Sequence, residues 1–363
     1  MTSPTLARLR LYTQRITGPA FADPAEVVRW LGAMQAQDYQ QALWAIGVRT
    51  QGATLADVER ALEEGRIVRT WPMRGTLHFV PAEDARWMLM LTASRAIARH
   101  RGRLAQLELD DKTLERAEDE FRAALAGGRR LSRAAMLQVL EDAGIRTEGQ
   151  RGYHILWYLA HTGVLCPGPL DGRTQTFVLL DEWVPHSREL SREEALATLA
   201  RRYFTSHGPA TVYDFAWWTG LTVADARQGL AAVQGDLTSI EVDGTTYWMA
   251  ADTPREVADE PAGIVLLPGF DEYLLGYKDR SAVLAEEHVD GVTPGQNGMF
   301  LPIVVADGQV VGTWRRQVKK TAVEMTFNPF VPRDEVEAWD GAPTERYGEF
   351  LGLPVVVGGE VAG

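Results

Sequence analysis

The feature that most limits how this chain can fold is a repeated order of elements. Three times, segments with helical periodicity are followed by two short β-rich runs around a turn signal. In the first instance Leu6–Ile16 reads as a helix. Asp23-Pro24-Ala25-Glu26 then supplies an N-cap, a proline at the first helical position and an acidic first turn. The helix it starts carries Val27, Val28, Trp30, Leu31 and Met34 on its buried side. Thr54-Leu55-Ala56-Asp57 opens another, running to Glu64. Residues 67–80 read as strand, turn and strand, with Pro72 arguing against a strand that passes uninterrupted through Trp71. Pro81 precedes a helix from Ala82 to Leu91.

The second instance places helices at Lys112–Ala126, Ser132–Ala143 and Gly149–Thr162. Val164-Leu165-Cys166 follows, then a loop of Pro-Gly-Pro and Asp-Gly, and a strand Thr176–Leu180. The third opens on a capping box, Ser191-Arg192-Glu193-Glu194, before a helix to Phe204. Helices Thr211–Thr219 and Thr222–Val233 come next, and strands Leu237–Val242 and Thr246–Met249 flank Asp243-Gly244. From Pro261 the pattern turns to strands at Ile264–Leu267, Tyr273–Tyr277, Met299–Val305 and Gln309–Trp314, with Asp307-Gly308 as a hairpin turn. Leu353–Gly363 reads as a last strand and tail. The expected class is α+β: three tandem winged helix-turn-helix units at 1–105, 106–186 and 187–255, then a β-rich domain at 256–363. A generic α+β arrangement is the alternative that the same pattern allows.

Composition narrows the function classes. No run approaches the 18 apolar residues of a membrane span, and Met1–Arg8 leads into no apolar signal segment. The lone Cys166 excludes an internal disulfide and any multi-cysteine metal site, which points to a reduced, cytoplasmic setting. A net charge of −12 argues against a chain built uniformly to coat nucleic acid. The positive charge is nevertheless uneven. From Arg66 to Arg103 eight arginines face only Glu83 and Asp84, and a second basic cluster is Arg315-Arg316 with Lys319-Lys320. Arginine matches phosphate geometry, although a GC-rich genome gives the same bias.

No phosphate-binding glycine loop, His-Glu-x-x-His or Gly-x-Ser-x-Gly occurs. His154 and His161 lie seven apart on one helical face, but no third ligand accompanies them, so both read as structural. Cys166 reads as a small buried side chain. Two stretches stand out. Met34-Gln35-Ala36-Gln37-Asp38-Tyr39 sets two glutamines one residue apart among apolar neighbours. On a helix they would point about 200° apart, whereas extended backbone puts them on one face. A joint role therefore requires the helix to end near Met34; otherwise the pair only decorates a helix end. Phe270-Asp271-Glu272-Tyr273 is the other, where adjacent carboxylates in a strand would face opposite ways, at most one serving a cleft, or simply be solvated at a strand end. Arg74, in a loop rich in Trp71 and Met73, is either a phosphate or base contact or a structural ion pair.

Four motifs in order carry a family resemblance: residues 34–39, Thr-Trp-Pro-Met-Arg-Gly-Thr-Leu-His-Phe-Val at 70–80, Leu-Pro-Gly-Phe-Asp-Glu-Tyr-Leu-Leu-Gly-Tyr-Lys-Asp-Arg-Ser at 267–281, and Val-Val-Gly-Thr-Trp-Arg-Arg at 310–316. Over residues 6–355 the chain resembles the winged-helix bacterial DNA glycosylases typified by the azinomycin-resistance enzyme AlkZ. The resemblance implies three tandem winged helices and a β-barrel-like domain in a C-shaped molecule with a basic DNA channel. It implies excision of bulky N7-alkylguanines and unhooking of interstrand crosslinks, without cofactor or metal. The family's Gln-x-Gln motif falls on Gln35 and Gln37; a related branch has Gln-x-Asp, and here Asp38 follows the motif without replacing its second member. The side chains expected to meet DNA are Arg69, Arg74, His78, Lys278, Arg280, Arg315, Arg316, Lys319 and Lys320. The expected partner is double-stranded DNA carrying alkylated guanine, bound by a monomer. A non-catalytic winged-helix regulator is the rival reading, and a protein that sequesters a free alkylating drug is a third.

Overall fold

The computed structural model describes residues 3–254, 263–332, 339 and 341–358. The fold is α+β, and the chain packs as two compact units: Met1–Arg60 with Leu196–Gly363, and Ala61–Ala195.

In the first unit a helix Ser3–Thr13 precedes the helix Pro24–Leu31, whose N-cap is Asp23, accepting the Ala25 N–H at 3.0 Å. Gly32, at φ 81, ends this helix in a conformation that side chains resist. The chain is extended at Met34–Gln35 and re-enters helix at Tyr39–Gly47, capped by Asp38. Helix Arg192–Ser206, which enters from the second unit with the expected reciprocal cap of Ser191 and Glu194, and helices Val212–Thr219 and Val223–Val233 follow at the expected places. The hairpin Leu237–Val242 with Thr245–Ala250 turns on Asp243-Gly244, both at positive φ.

The rest of this unit is a five-stranded sheet in the order Val355–Val357, Val323–Pro329, Gln309–Val318, Ile303–Ala306, Ile264–Leu267. Its neighbours are antiparallel except the first pair, which is parallel. Three strand expectations change here. Tyr273–Tyr277 is not a strand: a short helix spans Glu272–Leu275, capped by Asp271 through the Tyr273 N–H at 2.9 Å. Tyr273, Leu274, Leu275 and Tyr277 are all buried, so the alternation that would make a strand is missing. The strand expected from Met299 begins only at Ile303, after Pro302, and the one expected to stop at Trp314 runs on to Val318. The tail beyond residue 358 lies outside the described residues.

The second unit carries the hairpin Ile67–Met73 with Thr76–Pro81, then a 22-residue helix Ala85–Gln106, longer than expected. Pro72 does lie inside its strand, contrary to expectation. The pairing register shifts between Thr70 and Met73, which removes the need for an N–H at the proline. Helices Asp111–Leu125, Arg133–Asp142 and Arg151–His161 pack around Phe121, Met136, Leu140, Ile155 and Leu159. The expected Pro-Gly-Pro loop is instead part of a strand, Leu165–Asp171, paired with Thr174–Leu179. Another register shift, between Pro167 and Leu170, accommodates the prolines, and Gln175 and Thr176 donate to the Gly168 and Pro169 carbonyls. Cys166 is fully buried, and burial pushes its thiol up to about 12.

Candidate active site

The first glutamine stretch occupies the break between two helices. Because the helix Pro24–Leu31 ends at Gly32, Gln35 lies in extended backbone, the condition under which i and i+2 amides can share a face. Ala36 between the glutamines is fully buried, Gln35 is half-buried and Gln37 is exposed. The side-chain carbonyl oxygen of Gln35 is buried and has no hydrogen-bond partner among the described residues.

The second stretch packs directly behind the first. Asp271 and Glu272, expected to include solvated charges, are only 2% and 1% exposed. The Arg49 guanidinium grips Asp271 with two parallel bonds of 2.8 Å and also donates to the Gln14 side-chain oxygen at 3.0 Å. Glu272 accepts the backbone N–H of Gln35 on Oε1 at 3.0 Å, and on Oε2 the Trp218 indole N–H at 2.8 Å. His207 Nε2 faces the same Oε2 at 3.4 Å, while its Nδ1 lies 2.8 Å from Ser206 Oγ. Burial holds the His207 imidazole below its usual pKa, although the Glu272 carboxyl beside it pulls the other way. Two further bonds lace the stretches together: Gly269 N–H to Gln41 Oε1 at 3.2 Å, and Trp44 indole N–H to the Leu266 carbonyl at 2.8 Å.

Sequence reasoning did not single out Gln14, Arg49, His207 or Trp218. Only one signal could have led to them. Two adjacent acids flanked by Leu-Pro-Gly-Phe and Tyr-Leu-Leu-Gly-Tyr imply buried carboxylates, and buried carboxylates require donors from elsewhere in the chain.

The expected DNA contacts are placed on separate elements. In the second unit, Arg69 is half-buried and donates to Gln175 Oε1 at 2.8 Å. Arg74 sits at φ 55 in the two-residue turn Arg74-Gly75, its guanidinium 3.3 Å from His78 Nε2. His78, expected among the DNA contacts, is fully buried with Nδ1 2.9 Å from the Thr76 carbonyl; its ring supports Arg74 from within the hairpin. In the first unit Lys278 is exposed, and the Arg280 guanidinium lies over the rings of Trp217 and Phe300 at 4.9 and 5.0 Å. Arg315 is exposed, but Arg316 is half-buried over Tyr347 at 5.7 Å, because neighbours in a strand face opposite ways. Lys319 is exposed and pairs with Glu324; Lys320 is exposed in the following turn.

Among the described residues, no group of three or more His, Cys, Asp or Glu side chains is placed to hold a metal ion, and no helix is long and apolar enough to cross a membrane.

Comparison with known proteins adds the family. The sequence profile described as DNA glycosylase AlkZ-like matches residues 28–350. The interstrand DNA cross-link repair glycosylase of Streptomyces sahachiroi is 29% identical over 321 residues, covering 84% of each chain. The solved structure of the Streptomyces sahachiroi DNA glycosylase AlkZ superimposes with a TM-score of 0.80 at 26% identity, covering 99% of this chain and 100% of that one. On the breadth of the profile match, which includes both glutamines and the buried acid pair, the chain belongs to the AlkZ-like DNA glycosylase family.

Proposed function

We propose that this chain is a monofunctional, metal-independent DNA glycosylase acting on bulky N7-alkylguanine in duplex DNA, including interstrand crosslinks. The observation that carries the reading is the glutamine pair at the helix break, with Gln35 in extended backbone and Gln37 exposed two residues on. Departure of a base from C1′ passes through an oxocarbenium-like state, for which many glycosidases use a carboxylate. N7-alkylation makes the base cationic beforehand. As the C1′–N9 bond breaks, its electron pair neutralises the base, so no general acid is needed. Water then forms the C1′–O bond and loses its proton to solvent, leaving an abasic site. Two amides suffice to orient that water and to present carbonyl oxygens to the cationic sugar. Unmodified guanine, which leaves only with help, is spared by so weak a site.

The scaffold we attach to this activity is three tandem winged helices, at 1–105, 106–186 and 187–255, followed by a β-barrel-like part at 256–363. On it, Arg69, Arg74, Lys278, Arg280, Arg315, Arg316, Lys319 and Lys320 serve the DNA backbone, with His78 supporting Arg74. The working protein in this reading is a cytoplasmic monomer.

The test is base release from duplexes carrying N7-methylguanine, a bulky N7 adduct or an N7 crosslink, in EDTA, by wild type, Gln35→Ala and Gln37→Ala. The expected result is EDTA-resistant release by the wild type that falls at least about a hundredfold in each variant, with duplex affinity retained. A wild type inert on all three duplexes would overturn the reading, and a borohydride-trapped protein–DNA adduct would overturn its monofunctional part.

A further inference from the structure

A Gln-x-Gln motif is uncharged, yet the sugar it faces becomes a cation in the transition state. Directly behind the motif lies a carboxylate. Glu272 is 1% exposed, and its oxygens divide between two tasks: Oε1 takes the Gln35 N–H at 3.0 Å, and Oε2 is held by Trp218 at 2.8 Å and faces His207 at 3.4 Å. The cradle is closely built. His207 stacks on Tyr203 with ring centroids 4.8 Å apart at 13°, and the Tyr203 hydroxyl donates to the Gly276 carbonyl at 2.7 Å. A Cβ on Gly276 would stand 2.6 Å from both the Glu272 carbonyl oxygen and the His207 ring, so only glycine lets the imidazole reach the carboxylate.

Local folding does not call for this acid. Asp271 caps the short helix and takes the Arg49 guanidinium, so neither role is left to Glu272. A buried carboxylate is also seldom a net source of stability. We infer that Glu272 is a positioning residue for the glutamine pair, fixing the Gln35 backbone and setting a buried negative charge behind the motif. The inference rests on the catalytic reading of Gln35 and Gln37 given above. A charge sheltered from solvent acts on its neighbours with little screening, so a neutral motif gains the electrostatic help that a carboxylate motif supplies directly.

Glu272→Gln keeps the shape and removes the charge, Glu272→Asp keeps the charge and withdraws it, and Trp218→Phe keeps the ring and removes the donor that aims Oε2. Single-turnover release is measured on whichever duplex the wild type turns over fastest, beside duplex Kd and urea unfolding. The expected result for Glu272→Gln is a rate at least tenfold lower with Kd within twofold of wild type, a split that a merely structural role does not produce. Glu272→Asp recovers part of that loss, and Trp218→Phe loses three- to tenfold. A folded Glu272→Gln at wild-type rate, in a protein that Gln35→Ala and Gln37→Ala inactivate, overturns this inference alone. If Glu272→Gln does not fold, Trp218→Phe at wild-type rate overturns it. An inert wild type removes the glycosylase reading and this inference with it.

Discussion

Two buried polar clusters, one in each compact unit, are built on opposite principles. Behind the glutamines, Arg49, Asp271, Glu272 and Gln14 are charged or strongly polar and are matched donor to acceptor. In the second unit, His100, Trp157 and His161 pack at tilts of 39° and 36° with centroids 4.3 and 4.0 Å apart, and His154 packs beside them. There the buried nitrogens His161 Nε2 and His154 Nδ1 have no hydrogen-bond partner among the described residues. Burial drives the His161 pKa down to about 4 and lowers that of His154. The first cluster keeps charge in the interior and specifies a geometry at the motif. The second excludes charge and behaves as aromatic core. His154 and His161 thus belong to aromatic packing around Trp157.

Breaking the charged cluster gives the largest expected effect. Arg49 and Asp271 are 0% and 1% exposed at their side chains, so Arg49→Met strands a buried carboxylate. Removing one partner of such a pair costs about 3–5 kcal/mol, whereas replacing both by apolar groups is often close to neutral. Urea unfolding should show that full loss in Arg49→Met and at least half of it regained in Arg49→Met with Asp271→Leu. A single variant losing under about 1 kcal/mol would mean that this pair behaves like a surface ion pair, and the contrast between the clusters would collapse.

Acid titration probes the neutral cluster next. His161 Nδ1 lies 2.8 Å from the Trp157 carbonyl, which can only accept, so the neutral ring carries its proton there. The folded pKa of about 4 lies below the ordinary value of 6.5. Between those values the unfolded chain binds a proton that the folded chain does not, so stability falls as the pH drops through this window and is fully present above it. At 1.36 kcal/mol per unit, the loss is about 2 kcal/mol from pH 7 to 5 and roughly 3 kcal/mol by pH 4. His161→Phe, which keeps a ring against Trp157, should flatten the difference between unfolding curves at pH 7 and 5. An unchanged slope would show that His161 is not the titrating group.

This contrast also marks what the sequence could tell. Asp23-Pro24, Ser132, Ser191 and Asp243-Gly244 announced their helices and hairpin because caps and turns are local chemistry. The break before the glutamine pair is local chemistry too, but it comes earlier than the periodicity predicts: Gly32 ends the helix at Leu31, and Met34, expected on the helix, is extended. The acid pair was not legible. Asp271 and Glu272 looked like strand residues because a run of buried apolar side chains fits a strand or a buried helix equally. Their partners lie 222 residues away at Arg49, 237 at Gln35, 65 at His207 and 54 at Trp218, distances at which no local pattern operates. Pro72 and the prolines at 167 and 169 misled for a different reason, because register shifts let strands absorb residues that cannot donate.

The smallest expected effect separates stability from catalysis by making the same change in each region. Asp38 Oδ1 accepts the Gln41 N–H at 3.2 Å at the start of the helix Tyr39–Gly47, and Ser132 Oγ accepts the Ala135 N–H at 3.2 Å at the start of the helix Arg133–Asp142. Loss of either cap costs about 1 kcal/mol, because an N-terminal N–H then loses its partner. Unfolding measurements on Asp38→Ala and Ser132→Ala should therefore be nearly alike. Their base-release rates should not be. Asp38 follows Gln37 directly, and its cap fixes the turn by which the chain passes from the extended motif into the helix. Fraying that turn widens the range of positions open to the Gln37 amide, and catalysis by positioned neutral groups is sensitive to such looseness. Asp38→Ala should lose about three- to tenfold in rate, an energy equivalent of roughly 1 kcal/mol, and Ser132→Ala should keep the wild-type rate. Equal rates in the two variants would mean that the Gln37 position is set by something other than the helix it precedes, and the burden of holding the motif would then shift to the Glu272 bond at Gln35.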